Sequence, residues 1–97
     1  MPEASLPTLL FFTTPSSGPA RRMESLLAHL ARKERGRLRV SRIDLAVTPA
    51  LGETLDVTEV PTLVLLKDGR PVARIDGRAS APEIDRMLKP HLASAAA

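Results

Sequence analysis

Apolar residues in this chain fall in short blocks whose period changes along the sequence. Leu9, Leu10, Phe11 and Phe12 run uninterrupted between Pro7 and Pro15, which predicts a buried strand over residues 8–13. Met23, Leu26, Leu27, Leu30 and Ala31 then recur at three- and four-residue intervals. Arg22, Ser25, Arg32 and Lys33 fall outside that stripe, so the segment reads as an amphipathic helix. Its start is marked by Gly18-Pro19, because Pro has no N–H to leave unpaired in the first turn, and Ser16 or Ser17 can cap the free amides. Its end is expected near Arg35-Gly36, where Gly takes the left-handed cap without steric cost.

The apolar residues of the second strand, Leu38 to Leu45, switch faces midway: Leu38 and Val40 on one side, Ile43 and Leu45 on the other. That pattern suits a strand covered on both faces. Arg42 shares parity with Val40, and an unpaired buried Arg is costly, so it is expected to lean outward and pair with Asp44. Pro49 to Leu55 predicts a short helix through Leu51 and Leu55. Thr62 to Lys67 and Pro71 to Asp76 flank Asp68-Gly69, a strong two-residue hairpin signal. Pro71 cannot donate to a ladder, which puts the last strand at an edge. A final helix begins at Ser80 or Ala81 with Ile84, Met87 and Leu88 as its stripe. Pro90 is expected to end or kink it before Leu92, and Ala93 to Ala97 to fray. The order is β-α-β-α-β-β-α: one α/β domain spanning the 97 residues, ordered over about 6–92, with a four-stranded mixed sheet flanked by helices.

Composition narrows the chemistry. The chain has two Phe, no Tyr, no Trp and no Cys, so its core is aliphatic. Single-strand nucleic-acid binders stack bases on aromatics, and that route has almost nothing to work with here. The net charge of +3 is uneven: residues 21–42 carry eight Arg or Lys against two acids, Glu24 and Glu34. Such a sector attracts acidic partners or phosphate, although a solvated helix face explains it as well. Eleven Arg against three Lys suits a GC-rich bacterial genome. Leu9 to Phe12 is too short for a signal peptide or a membrane span, so a cytoplasmic setting is the expectation.

Two short motifs carry more. Ser16-Ser17-Gly18-Pro19-Ala20 lies at the start of the first helix, and Val60-Pro61-Thr62 opens the third strand. Together, at this distance and in this order, they resemble the active site of the thioredoxin superfamily, which has Trp-Cys-Gly-Pro-Cys at the first place. The resemblance runs from Thr8 to Leu92 and implies a minimal thioredoxin fold, without the additional N-terminal strand and helix of full-length members. It places Ser17 and Ala20 at the two Cys positions and Ser16 at the Trp. Phe11 stands where the family has a buried Asp, and Val40 where it has the facing Lys. It further implies that Pro61 is a cis proline, that the backbone at Val60 pairs with a substrate strand, and that Gly77 keeps the opposite wall low.

The thiolate is the nucleophile of thiol–disulfide exchange, so a chain with no cysteine cannot run that reaction with its own side chains. A serine nucleophile at Ser17 needs a base within reach. His29 lies twelve residues further along the same helix, roughly 18 Å away at ~1.5 Å per residue, and His91 sits near the end of the chain. No His/Asp cluster has metal-ligand spacing, and no cofactor is expected. The expectation is therefore a redox-inactive, non-enzymatic domain. It would bind a peptide or protein at the ancestral face, through Ser16, Ser17, Gly18, Pro19, Val60, Pro61, Thr62 and Gly77. A structural module that self-associates, as a homodimer for example, is the first alternative. A glutathione-binding domain using Ser17, as in the transferases that begin with a similar domain, is the second. Neither membrane nor nucleic-acid partners are expected.

Overall fold

The computed structural model describes residues 6–92; the tail expectation for Ala93 to Ala97 lies outside them. Seven elements follow in the order β1 (Thr8–Thr13), α1 (Gly18–Lys33), β2 (Arg39–Asp44), α2 (Pro49–Thr54), β3 (Thr62–Lys67), β4 (Arg70–Asp76) and α3 (Ala81–Leu92). The strands form one sheet in the order β2-β1-β3-β4. β1 pairs parallel with β2 and antiparallel with β3, and β3 pairs antiparallel with β4, so the sheet is mixed.

Two apolar clusters sandwich this sheet. On one face Leu9, Phe11, Leu63 and Leu65 pack with Met23, Leu27 and Leu30 of α1 and with Ile84, Leu88 and Leu92 of α3. On the other, Leu10, Phe12 and Val64 pack with Leu51, Leu55, Val57 and Val60. The alternation of β1 and β3 between two covered faces explains why both read as continuous apolar runs. β2 divides as its sequence predicts, with Leu38 and Val40 against the first cluster and Ile43 and Leu45 against the second. It is nevertheless an edge strand, and its Arg39 and Arg42 are exposed. β4 forms the other edge, as Pro71 requires. The hairpin turn places Asp68 and Gly69 at φ of 53° and 78°, the left-handed pair that an Asp-Gly turn supplies.

Three local expectations need correction. α1 stops at Lys33, two residues before Arg35. The Glu34 N–H still reaches the Leu30 carbonyl (2.9 Å), but the Arg37 and Leu38 amides then turn back onto the Glu34 carbonyl. Gly36, at φ 86°, belongs to that following turn. α3 does not end at Pro90; it continues to Leu92. Pro90 and Arg86 both lie on the exposed face, so the carbonyl left without a proline N–H is solvated while Leu88 and Leu92 stay packed. Arg42 does lean outward, but its partner is Glu24 on α1, at 3.3 Å. Asp44 instead accepts the Ala46 N–H at 2.8 Å and braces the turn after β2. Residues two apart on a strand stand about 6.6 Å apart, so α1, packed over the same face, presents the nearer carboxylate.

Candidate functional site

The site is built where three chain segments meet at one end of the sheet. Phe12 of β1 is opposite Thr62 of β3, and Thr62 is opposite Asp76 of β4. The segment leaving β1 (Thr14 to Gly18), the one entering β3 (Glu59 to Pro61) and the one leaving β4 (Gly77) are therefore neighbours. The first two are the motifs that stand more than forty residues apart in sequence.

The β1–α1 connection is tight. The Ser17 N–H donates to the Thr14 carbonyl at 3.2 Å, and Ser17 then acts as the N-cap of α1. Its Oγ accepts the Ala20 N–H at 3.1 Å. A capping hydroxyl satisfies an amide that the first helical turn would otherwise leave free. Ser16 is exposed, Ser17, Gly18 and Pro19 are half-buried, and Ala20 is fully buried.

The β2–β3 connection closes on itself. The Val60–Pro61 peptide bond is cis. The Thr62 hydroxyl donates to the Glu59 carbonyl at 2.7 Å, and the Pro61 carbonyl accepts the Gly77 N–H at 2.8 Å. Gly77 has φ of 86°, which a side chain at this position would strain. Pro61 and Thr62 are buried and Val60 is half-buried, so the accessible part of this wall is Val60 and its neighbour Glu59. The Glu59 Oε1 lies 3.6 Å from where a Cβ on Gly77 would stand. Further back, Arg74 donates to the Leu55 carbonyl (2.7 Å), the Asp56 carbonyl (3.3 Å) and Asp76 Oδ1 (2.7 Å), tying the end of α2 to β4.

Beneath the site, Phe11 is 2% exposed and belongs to the same apolar cluster as Val40 and Ala20. Where the resemblance puts an acid and its lysine, this chain packs hydrocarbon, an exchange that is often neutral or stabilising. Among the described residues no group of three His, Cys, Asp or Glu could hold a metal. His29 lines a separate hollow with Leu26, Ala81 and Ile84, and His91 stands near the C-terminal end of α3, away from Ser17. Two residues of the site carry no motif signal. One is Glu59. The other is Arg22, whose guanidinium nitrogens fold back to 3.7 and 3.9 Å from a Cβ position on Gly18. The four-residue spacing from Gly18 to Arg22 was the available sign, since such residues share a helix face.

The fold and this end of the sheet define an α/β domain with a cysteine-free loop facing a cis proline. The thioredoxin family model matches residues 2–90, and the chain belongs to the thioredoxin family. It is 34% identical over 86 residues to a thioredoxin of Mycobacterium tuberculosis, covering 89% of this chain and 74% of that protein. It is 31% identical over 83 residues to a thioredoxin-like protein of Synechocystis, covering 86% and 79%. It also matches 75 residues of the bifunctional thioredoxin reductase/thioredoxin of Mycobacterium leprae at 31% identity, spanning only 16% of that longer protein. In three dimensions it resembles a solved malarial protein with a TM-score of 0.81 at 23% identity, over 90% of this chain and 98% of that one. No helix among the described residues is long and apolar enough to cross a membrane.

Proposed function

We propose that this chain is a redox-inactive thioredoxin-like protein that binds an extended peptide or protein segment at the face formed by Ser16 to Pro19, Val60 and Gly77. The observation that carries this reading is the assembly of that face around a loop without a thiol. The turn, the proline and the low glycine wall are all in place, while Ser17 spends its acceptor on the helix cap. A half-buried backbone wall at Val60 can offer main-chain hydrogen bonds to an added extended segment. Without a thiolate, such a segment would be held and released without a covalent step.

The test is selection of a random dodecapeptide display library on the native chain, with a counter-screen on Ser17→Trp. Peptides retained by the native chain and lost on Ser17→Trp, and which shift the amide resonances of Gly18, Val60 and Gly77, would bear the reading out. A library yielding no peptide that depends on Ser17 would sink it. Ser17→Thr, which keeps the capping oxygen, controls for loss of the helix cap.

Self-association through the β4 edge is the second reading, supported by Val72, which is 41% exposed on that strand. Pro71 removes one donor from the edge and limits such pairing. Sedimentation showing a monomer at high protein concentration would eliminate it.

A further inference from the structure

Charge distribution around the proposed face indicates the kind of segment it takes, an assignment that rests on the face being a binding site. Arg21 and Arg22 line a shallow cleft with Gly18 and Glu24. Both arginines are exposed. The carboxylate in that cleft is already engaged, because Glu24 pairs with Arg42 at 3.3 Å. Among the described residues neither Arg21 nor Arg22 makes an ion pair, and neither does exposed Arg78, which follows Gly77. The opposing charge at the face is Glu59. Two free guanidinium groups, those of Arg21 and Arg22, therefore stand at the helix start with Glu59 as the unpaired carboxylate beside Gly77, and one of them, Arg22, is folded against the turn that carries Gly18.

We infer that the segment this face takes is acidic, an extended peptide with Asp or Glu side chains directed toward Arg21 and Arg22. Arginine suits that task because its planar fork can hold a carboxylate through two parallel hydrogen bonds. Complementary charge across an interface chiefly sets which partner is accepted and how fast it arrives. A nucleic acid would answer the same charges but lacks a stacking surface. The two aromatic residues of the chain, Phe11 and Phe12, are 2% and 0% exposed.

Sequencing the dodecapeptides whose retention depends on Ser17 tests the inference. They are expected to be enriched in Asp and Glu. One of them is then compared with its Asn/Gln isostere on the native chain and on the Arg21→Gln/Arg22→Gln double variant at low salt. The native chain should prefer the acidic form by about tenfold, the joint effect of two partly exposed charge pairs. The double variant should lose most of that preference, because its two glutamines carry no charge that separates the acidic form from the isostere. Ser17-dependent peptides that are neutral or basic would overturn the acidic assignment and leave the binding face standing. A library with no Ser17-dependent peptide would remove the face and this inference together. A labelled single-stranded dodecanucleotide held by the native chain but not by the double variant, with no acidic peptide enriched, would reassign the arginines to nucleic acid.

Discussion

Ser17, at the position that the resemblance gives to a reactive Cys, is held here as a structural residue. Its backbone is extended (φ −85°, ψ 109°), its amide is fixed by Thr14, and its hydroxyl oxygen receives the Ala20 amide. Those are the properties of an N-cap, and among the described residues no hydrogen bond joins the hydroxyl to a His, Asp or Glu that could make it a nucleophile. Replacing the oxygen with hydrogen should therefore be felt as stability. Ser17→Ala is expected to cost about 1 kcal/mol, read as a lower urea midpoint with an unchanged slope, whereas Ser17→Asp should restore most of it. Equal midpoints for the native chain and Ser17→Ala would show that the cap contributes nothing.

At the scale of elements, two devices hold the scaffold behind the site. α3 opens with a capping box: the Glu83 N–H donates to Ser80 Oγ at 3.3 Å, and the Ser80 N–H donates to Glu83 Oε1 at 2.8 Å. The Ser80 backbone bond, followed by its side-chain bond, holds the Glu83 carboxyl below its usual value. A carboxyl depressed in the folded state binds fewer protons there than in the unfolded chain. Its contribution is thus complete above the ordinary carboxylate range and is lost as pH falls through the folded value. Glu83→Gln should lower the urea midpoint at pH 7, and that deficit should shrink steadily as pH falls below the ordinary carboxylate range; a deficit that stays constant into acid would contradict the account. The second device is Arg74, whose guanidinium joins the Leu55 and Asp56 carbonyls to Asp76. Arg74→Ala should cost about 1 kcal/mol, near the net value of a typical hydrogen bond and discounted for exposure, and should speed amide exchange at Val57, whose N–H donates to the Gly52 carbonyl, more than at Leu63. Uniform exchange would mean that the segment is held from elsewhere. The elements themselves were legible in the sequence because their signals are local: the helical stripe of α1, the Asp-Gly turn, the prolines bounding β1. The partner of Arg42 and the passage of α3 through Pro90 were not. Each depends on what a neighbouring element or solvent presents, which a one-dimensional pattern does not contain. The motif residues of the site were legible for the same local reason, whereas Arg22 and Glu59 join it only through the way their side chains fold back.

Over the whole molecule, a thioredoxin-family fold is carried by a sequence without cysteine. The chain has the sheet order β2-β1-β3-β4, the cis bond before Pro61 and the Gly-Pro helix start, and Phe11 and Val40 belong to one continuous apolar cluster beneath the site. If the loop geometry is intact, a disulfide lacks only its two sulfurs, and supplying them should allow the bond to form. In Ser17→Cys/Ala20→Cys, the first sulfur would replace an oxygen that lies 3.1 Å from the backbone nitrogen of residue 20, so the two side chains start close together. Cys at position 17 would be half-exposed and beside unpaired Arg21 and Arg22, a setting that favours the thiolate. Cys at position 20 would be buried, at some cost in packing, since Ala20 is 0% exposed. Treatment with glutathione disulfide should convert the two protein thiols to one intramolecular disulfide, with two electrons and two protons passing to glutathione. Free thiols then fall from two to none, without a glutathione adduct in the intact mass. An adduct at position 17 beside a persisting thiol at position 20 would show that the loop has drifted out of bonding geometry. In that case the difference from a disulfide-forming loop lies in the backbone as well as the side chains. With the disulfide formed, reduction of a disulfide substrate by the double variant should still be slow, because Phe11 offers no carboxylate to move the proton on and off the buried sulfur.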